Sequence, residues 1–173
     1  MIFLIKTKNT TIYIKRAIMN TFFTTREIEG RYEWIALNMK DILSGKKTIH
    51  YTEDPFEVYD FDMTASTALS YGEIKTVHRD YTKFPNFQID YKKLKSLQSL
   101  AKQDGRIPYL VCFFDDYTIV WDISGIDLEE RMYTTFCTST TADYTKGKRE
   151  KEEVWLTIEE AIWKDYKRVR TSA

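Results

Sequence analysis

Apolar and polar positions change their period several times along the chain, and each change marks an element. The opening run MIFLIKTKNTTIYIK has apolar residues broken by lysines around a polar Lys-Asn-Thr centre, which predicts a hairpin over 1–16. From Thr24 the period lengthens. Ile28, Tyr32, Ile35, Met39 and Ile42 recur at four- and three-residue steps, the apolar stripe of a helix over 25–43. Thr24 and Glu27 form a capping-box pair ahead of it, and Ser44-Gly45 closes it.

Three short β-prone segments follow, at 47–51, 56–63 and 68–77. The small polar residues 64–67 join the last two as an antiparallel hairpin. The loop HRDYTKFPNF leads to a second helix over 88–103, marked by Leu94, Leu97, Leu100 and Ala101 and closed by Asp104-Gly105. PYLVCFF and YTIVWDI, turned by Asp115-Asp116, predict a second hairpin. The near-continuous apolar run of its first half is that of a central strand covered on both faces.

RMYTTFCTST and EEVWL read as strands around the polar TADYTKGKREK. Thr157 and Glu160 form a second capping box, so a hairpin and a terminal helix are expected over 131–170. Helix, strands, helix, then more strands is the order of an α/β (α+β) fold with a mixed sheet.

Composition narrows the class. The 173 residues make one domain, 1–173, long enough to bury a core, and 43% apolar with 15% aromatic residues argues for a packed chain. Formal charge balances, 26 basic against 26 acidic, which excludes a strongly basic nucleic-acid binder and leaves local patches. Two such patches are Lys92, Lys93 and Lys95, and the terminal KDYKRVR.

Cys112 and Cys137 make neither a disulfide framework nor a metal cluster, and Cys112 in YLVCFF reads as a small buried hydrophobe. The expected compartment is reducing and cytoplasmic. No apolar run reaches the roughly 18–20 residues of a membrane helix. His50 and His78 share no ligand spacing with each other or with a cysteine, and there is no Gly-rich phosphate loop.

The chemistry sits in YDFDMTASTALSYGEIKTV, residues 59–77. Strand alternation places Glu73 and Lys75 on one face, and Val58, Asp60 and Asp62 on one face of the preceding strand. A short hairpin then brings two or three carboxylates and one ammonium together. Neighbouring carboxylates repel one another, and a hard divalent cation resolves that repulsion. A lysine beside such a cation can hold or deprotonate an attacking water and stabilise charge on a phosphorane. Spacing alone is equally that of an ordinary charged pair on a solvent-facing strand.

In these residues the sequence resembles the PD-(D/E)XK nuclease superfamily, with a core of the Holliday-junction-resolvase type. The match is Asp60, a gap of thirteen residues, then Glu73-Ile74-Lys75, between helices over 25–43 and 88–103. It covers roughly 25–123, and Tyr59 stands where the superfamily's name has proline.

The resemblance implies a restriction-endonuclease-like mixed sheet flanked by helices. It implies an Mg²⁺- or Mn²⁺-dependent nuclease that hydrolyses DNA. Asp60, Glu73 and the backbone carbonyl of Ile74 would hold the metal, with Asp62 as rival to Asp60, and Lys75 would act on the water. Glu33, with Glu27 second, is the candidate for a further helical ligand. Gln88, Asp90 and Lys93 are candidates on the helix after the E-x-K, and Gln88, Lys92 and Lys93 for contact with nucleic acid. Many such nucleases dimerise to cut both strands, so a homodimer is expected. RNA stays open as an alternative substrate. A second class also stays open, a non-catalytic DNA- or protein-binding module that keeps the fold.

Overall fold

The computed structural model describes residues 2–7, 10–15, 30–31, 34–35, 38, 47–52, 57–65, 68–83, 85, 87–138 and 148–166. The strands are β1 (Ile2–Thr7), β2 (Thr10–Lys15), β3 (Lys47–Tyr51), β4 (Phe61–Ala65), β5 (Leu69–Val77), β6 (Phe87–Asp90), β7 (Ile107–Phe114), β8 (Tyr117–Asp122), β9 (Met132–Thr138), β10 (Lys148–Leu156) and β11 (Trp163–Tyr166). Helix α1 spans Tyr91–Gln103. Gly30, Arg31, Trp34, Ile35 and Asn38 are also helical, and the other residues of the helix expected over 25–43 lie outside the described ones.

One sheet runs β1-β2-β3-β4-β5-β7-β8-β11, and a second runs β6-β10-β9. The β2–β3 and β5–β7 pairs are parallel and the other neighbours antiparallel, so the fold is α+β with a mixed sheet. The expected hairpins β1–β2, β4–β5 and β7–β8 all form.

Strand β7 shows why the middle of the sheet is so apolar. Every residue from Pro108 to Phe114 is buried. Leu110, Cys112 and Phe114 pack with Leu94, Leu97 and Ala101 of α1, together with Trp121 of β8 and Val154 of β10. Tyr109, Val111 and Phe113 pack on the other face with Ile35, Ile49, Phe61 and Met63. Alternation along one strand thus divides the apolar interior into two layers. Tyr71 of β5 belongs to the α1 side. Glu73 and Lys75, two and four residues on, therefore share that face.

Helix α1 is capped at both ends. The Asp90 side chain accepts the Lys93 backbone N–H at 3.1 Å. Beyond the helix Gly105 takes φ 63° while the Arg106 N–H bonds Ala101 O, a Schellman turn that only glycine enters without strain.

Three expectations are corrected. The helix begins at Tyr91, so Gln88 lies exposed on β6 and Asp90 is a cap. The strand expected over 56–63 begins at Phe61, and residues 57–60 bend ahead of it. Among the described residues the terminal helix is also absent. The Thr157–Glu160 capping box forms, but it closes one 3-10 turn, Ile158–Glu160, before Trp163–Tyr166 pair with β8. Pairing with an open strand edge outweighs the local helical signal there. Among the described residues no helix is long and apolar enough to cross a membrane.

Asp116, in the β7–β8 turn, is 3% exposed and accepts from the Tyr81 and Thr82 backbone N–H groups and the Thr82 hydroxyl. Burial pushes its carboxyl up, but these donors outweigh it and leave the pKa lowered. A carboxyl depressed in the folded state adds stability above its unfolded pKa, and that stability is lost as pH falls through the folded value. Asp116→Asn is therefore expected to melt lower than wild type at neutral pH, and the gap is expected to narrow below about pH 4. Thermal melts across that range check it; a gap independent of pH contradicts it.

Candidate active site

Register brings the acidic residues of the hairpin together. Phe61 pairs with Gly72 and Asp62 with Tyr71, and the Asp60 N–H continues the ladder to Gly72 O at 2.8 Å. Asp60 thus stands across from Glu73. Its Oδ2 accepts the Ile74 N–H at 2.6 Å. A residue's N–H and C=O point to the same side of an extended strand, so the Ile74 carbonyl is directed toward the Asp60 side.

Glu73 is 1% exposed. Its Oε1 lies 2.8 Å from Lys75 Nζ, and its Oε2 lies 3.2 Å from Lys93 Nζ. Lys93 Nζ also donates to Glu57 O at 2.9 Å. The Oε2 atom has no hydrogen bond of good geometry among the described residues, and the Lys93 ammonium near it is off-axis.

Burial first, and then the Glu73 charge, push the Asp60 carboxyl up to about 6, against the Ile74 N–H and the Lys93 and Lys75 ammoniums. Burial works against charge on Lys75, yet the Glu73 charge and hydrogen bond, with Asp60, outweigh it and raise its pKa. The cluster therefore holds Lys75 as an ammonium and disfavours the charged form of Asp60.

Asp62 shares the sheet face but turns elsewhere, to Arg106 at 3.9 Å. Of the two rivals, Asp60 is the one placed against Glu73. Glu33 and Glu27 lie outside the described residues, as does the 167–170 part of the basic C-terminal run. Lys92 is exposed and 3.4 Å from Glu152, and Lys95 pairs with Glu129 at 2.8 Å. Among the described residues no group of three or more His, Cys, Asp or Glu side chains is arranged to hold a metal ion. Cys112 is fully buried, and burial raises its thiol well above the ordinary range, which suits the small-hydrophobe reading.

Lys93 belongs to this cluster and not to an exposed helix face. The signal was in the sequence: Lys93, Leu97 and Ala101 recur every four residues, and the latter two are buried. A second group went unnoticed beside the acidic one. Tyr59 stacks on Tyr71 with centroids 4.3 Å apart and planes at 20°, and the Arg106 guanidinium lies 4.5 Å from the Tyr71 centroid. Tyr59 thereby joins the α1 side of the sheet with Asp60, because strand alternation begins only at Phe61.

No protein-family model matches the chain, and no curated protein matches it. Among solved structures the chain is similar to a Holliday junction resolvase from the archaeal hyperthermophile Archaeoglobus fulgidus. Identity is 11% and the TM-score 0.39, over 66% of this chain and 87% of that one.

Proposed function

We propose that this chain is a divalent-metal-dependent nuclease with a restriction-endonuclease-like core, acting on phosphodiester bonds of DNA. The observation that carries the reading is the burial of Glu73 beside Asp60. An ordinary surface ion pair keeps both partners in water, whereas Glu73 is 1% exposed and its Oε2 has no well-aligned donor among the described residues. A second, half-buried carboxyl raised to about 6 stands next to it. Keeping two carboxyls together at this depth is costly, and a function in binding a cation accounts for it.

The donor set fits a hard cation. Mg²⁺ takes one or two carboxylates and fills its shell with water and phosphate oxygens, so Asp60, Glu73 and the Ile74 carbonyl suffice as protein ligands. When bound, such an ion supplies Lewis acidity at a phosphate oxygen. Lys75, held as an ammonium, would orient the attacking water and stabilise negative charge developing on the phosphorus oxygens. Lys93, on the other Glu73 oxygen, would fix that carboxylate's rotamer.

Purified protein is expected to cut plasmid, single-stranded or branched DNA with Mg²⁺ or Mn²⁺, and EDTA is expected to stop the cutting. Intact DNA in every arm ends the enzymatic reading. The two ammoniums favour a second reading, a binding module, because they already neutralise Glu73 without a metal. DNA binding with no heat of Mn²⁺ binding would select it.

A further inference from the structure

We propose that Tyr59 is a stacking platform for an unpaired nucleobase of DNA, directly beside the scissile phosphate. Its place next to a phosphate rests on the nuclease reading; the platform itself rests on a column of planar groups. Tyr71 is 8% exposed and closed on both faces: a guanidinium 4.5 Å from its centroid cannot share the face on which Tyr59 stacks at 4.3 Å. The column therefore reads Arg106, Tyr71, Tyr59.

Each inner member is fixed from outside. The Tyr71 hydroxyl donates to Asp104 Oδ2 at 2.6 Å, Arg106 is delivered by the Schellman turn at Gly105, and its guanidinium lies 3.9 Å from Asp62. Tyr59 ends the column. It is half-buried at the rim of the core cluster, and the aromatic ring it stacks on is Tyr71.

Position selects the ligand. Tyr59 and Asp60 are adjacent, so their Cα atoms are about 3.8 Å apart. A ring stacked on Tyr59 would thus lie close to a phosphate that meets Asp60 and Glu73. Every base has a π-face, which makes such a platform tolerant of sequence. Bases inside a duplex are already stacked on both sides, so only a single-stranded, flapped or extruded base can take this place. The acidic neighbours Asp62 and Glu57 disfavour a phosphate at the ring itself, in keeping with a contact to the base. The substrate class is DNA with an unpaired nucleotide at the cut.

The test measures binding in EDTA, where no cleavage occurs, by fluorescence anisotropy of the full chain with a short labelled oligo(dT). A set of the same oligonucleotide carries one abasic site at each position in turn. Base–aromatic stacking is worth about 5- to 150-fold in affinity. One abasic position is expected to weaken wild type by an amount in that range. Tyr59→Ala is expected to weaken the intact oligonucleotide equally and to become insensitive to that position, while Tyr59→Trp keeps both properties. Melting curves of the variants confirm folding. Unchanged affinity in Tyr59→Ala, abasic sensitivity that persists in it, or no oligonucleotide binding by wild type overturns the platform. Cleavage is scored separately with Mg²⁺ or Mn²⁺. A platform without cleavage ends the hydrolytic reading and leaves the stacking site standing.

Discussion

Glu73→Gln is expected to lower DNA cleavage about 100- to 1,000-fold, the usual consequence of removing one preorganised charged group from a reacting centre. The substitution keeps the shape of the side chain and removes its charge. The Oε1 that faces Lys75 and the Oε2 that faces Lys93 become one carbonyl and one amide, so a cation loses its buried anionic ligand. Lys75→Met is expected to fall by a similar factor for a different reason, the loss of the ammonium that faces the water. The two losses are expected to combine at less than their product, since both groups serve one step.

Folding is expected to survive in both variants. The Lys75 and Lys93 side chains keep 41% and 29% exposure, so each can return its charge to water once Glu73 is neutral. Calorimetric titration with Mn²⁺ separates the roles. Glu73→Gln is expected to abolish the heat of binding, whereas Lys75→Met retains it. Wild-type cleavage rates in Glu73→Gln, with folding intact, would remove Glu73 from the site.

How much of this was legible depended on whether a local pattern had a tertiary competitor. The apolar segments of β4, β5, β7 and β8 are bounded by their own turn signals, and they pair as their sequences dictate. Their charges follow, because register across Phe61–Gly72 carries Asp60 to Glu73 without a long-range decision. The terminal helix failed where such a decision intervened. A capping box is a local signal, and Glu160 is in addition held by Arg131 and Thr157 while the segment beyond it completes the edge of β8. Strict alternation would set Tyr59 on the face opposite Asp60, but residues 57–60 bend and Tyr59 joins the α1 side. The column it forms with Tyr71 and Arg106 joins three places distant in sequence, and no spacing could have shown it.

The register that assembles the site has one point of least tolerance, Gly72. A Cβ at this position would lie 2.0 Å from Phe61 Cζ and 2.1 Å from Cε1, far inside van der Waals contact. Phe61 is itself fully buried among Ile35, Ile49, Met63 and Val111, so the ring has no empty space to enter. Overpacking costs typically about 1–3 kcal/mol and sometimes more, and a clash with three atoms of an enclosed ring belongs at the upper end, about 3 kcal/mol. For a chain of this length that is a fall of roughly 6–12 °C in Tm. Phe61→Ala in the same chain removes the obstacle, so Gly72→Ala is expected to cost far less in that background, a coupling that a double-mutant cycle reads directly. A Gly72→Ala melt within about 1 °C of wild type would show that the strand pair yields where this packing says it cannot. The same displacement also reaches the chemistry. Gly72 O receives the Asp60 N–H, so any parting of β4 from β5 at this pair draws Asp60 away from Glu73 and Ile74. Gly72→Ala is therefore expected to lose Mn²⁺ affinity even at temperatures where it remains folded, although it alters no ligand.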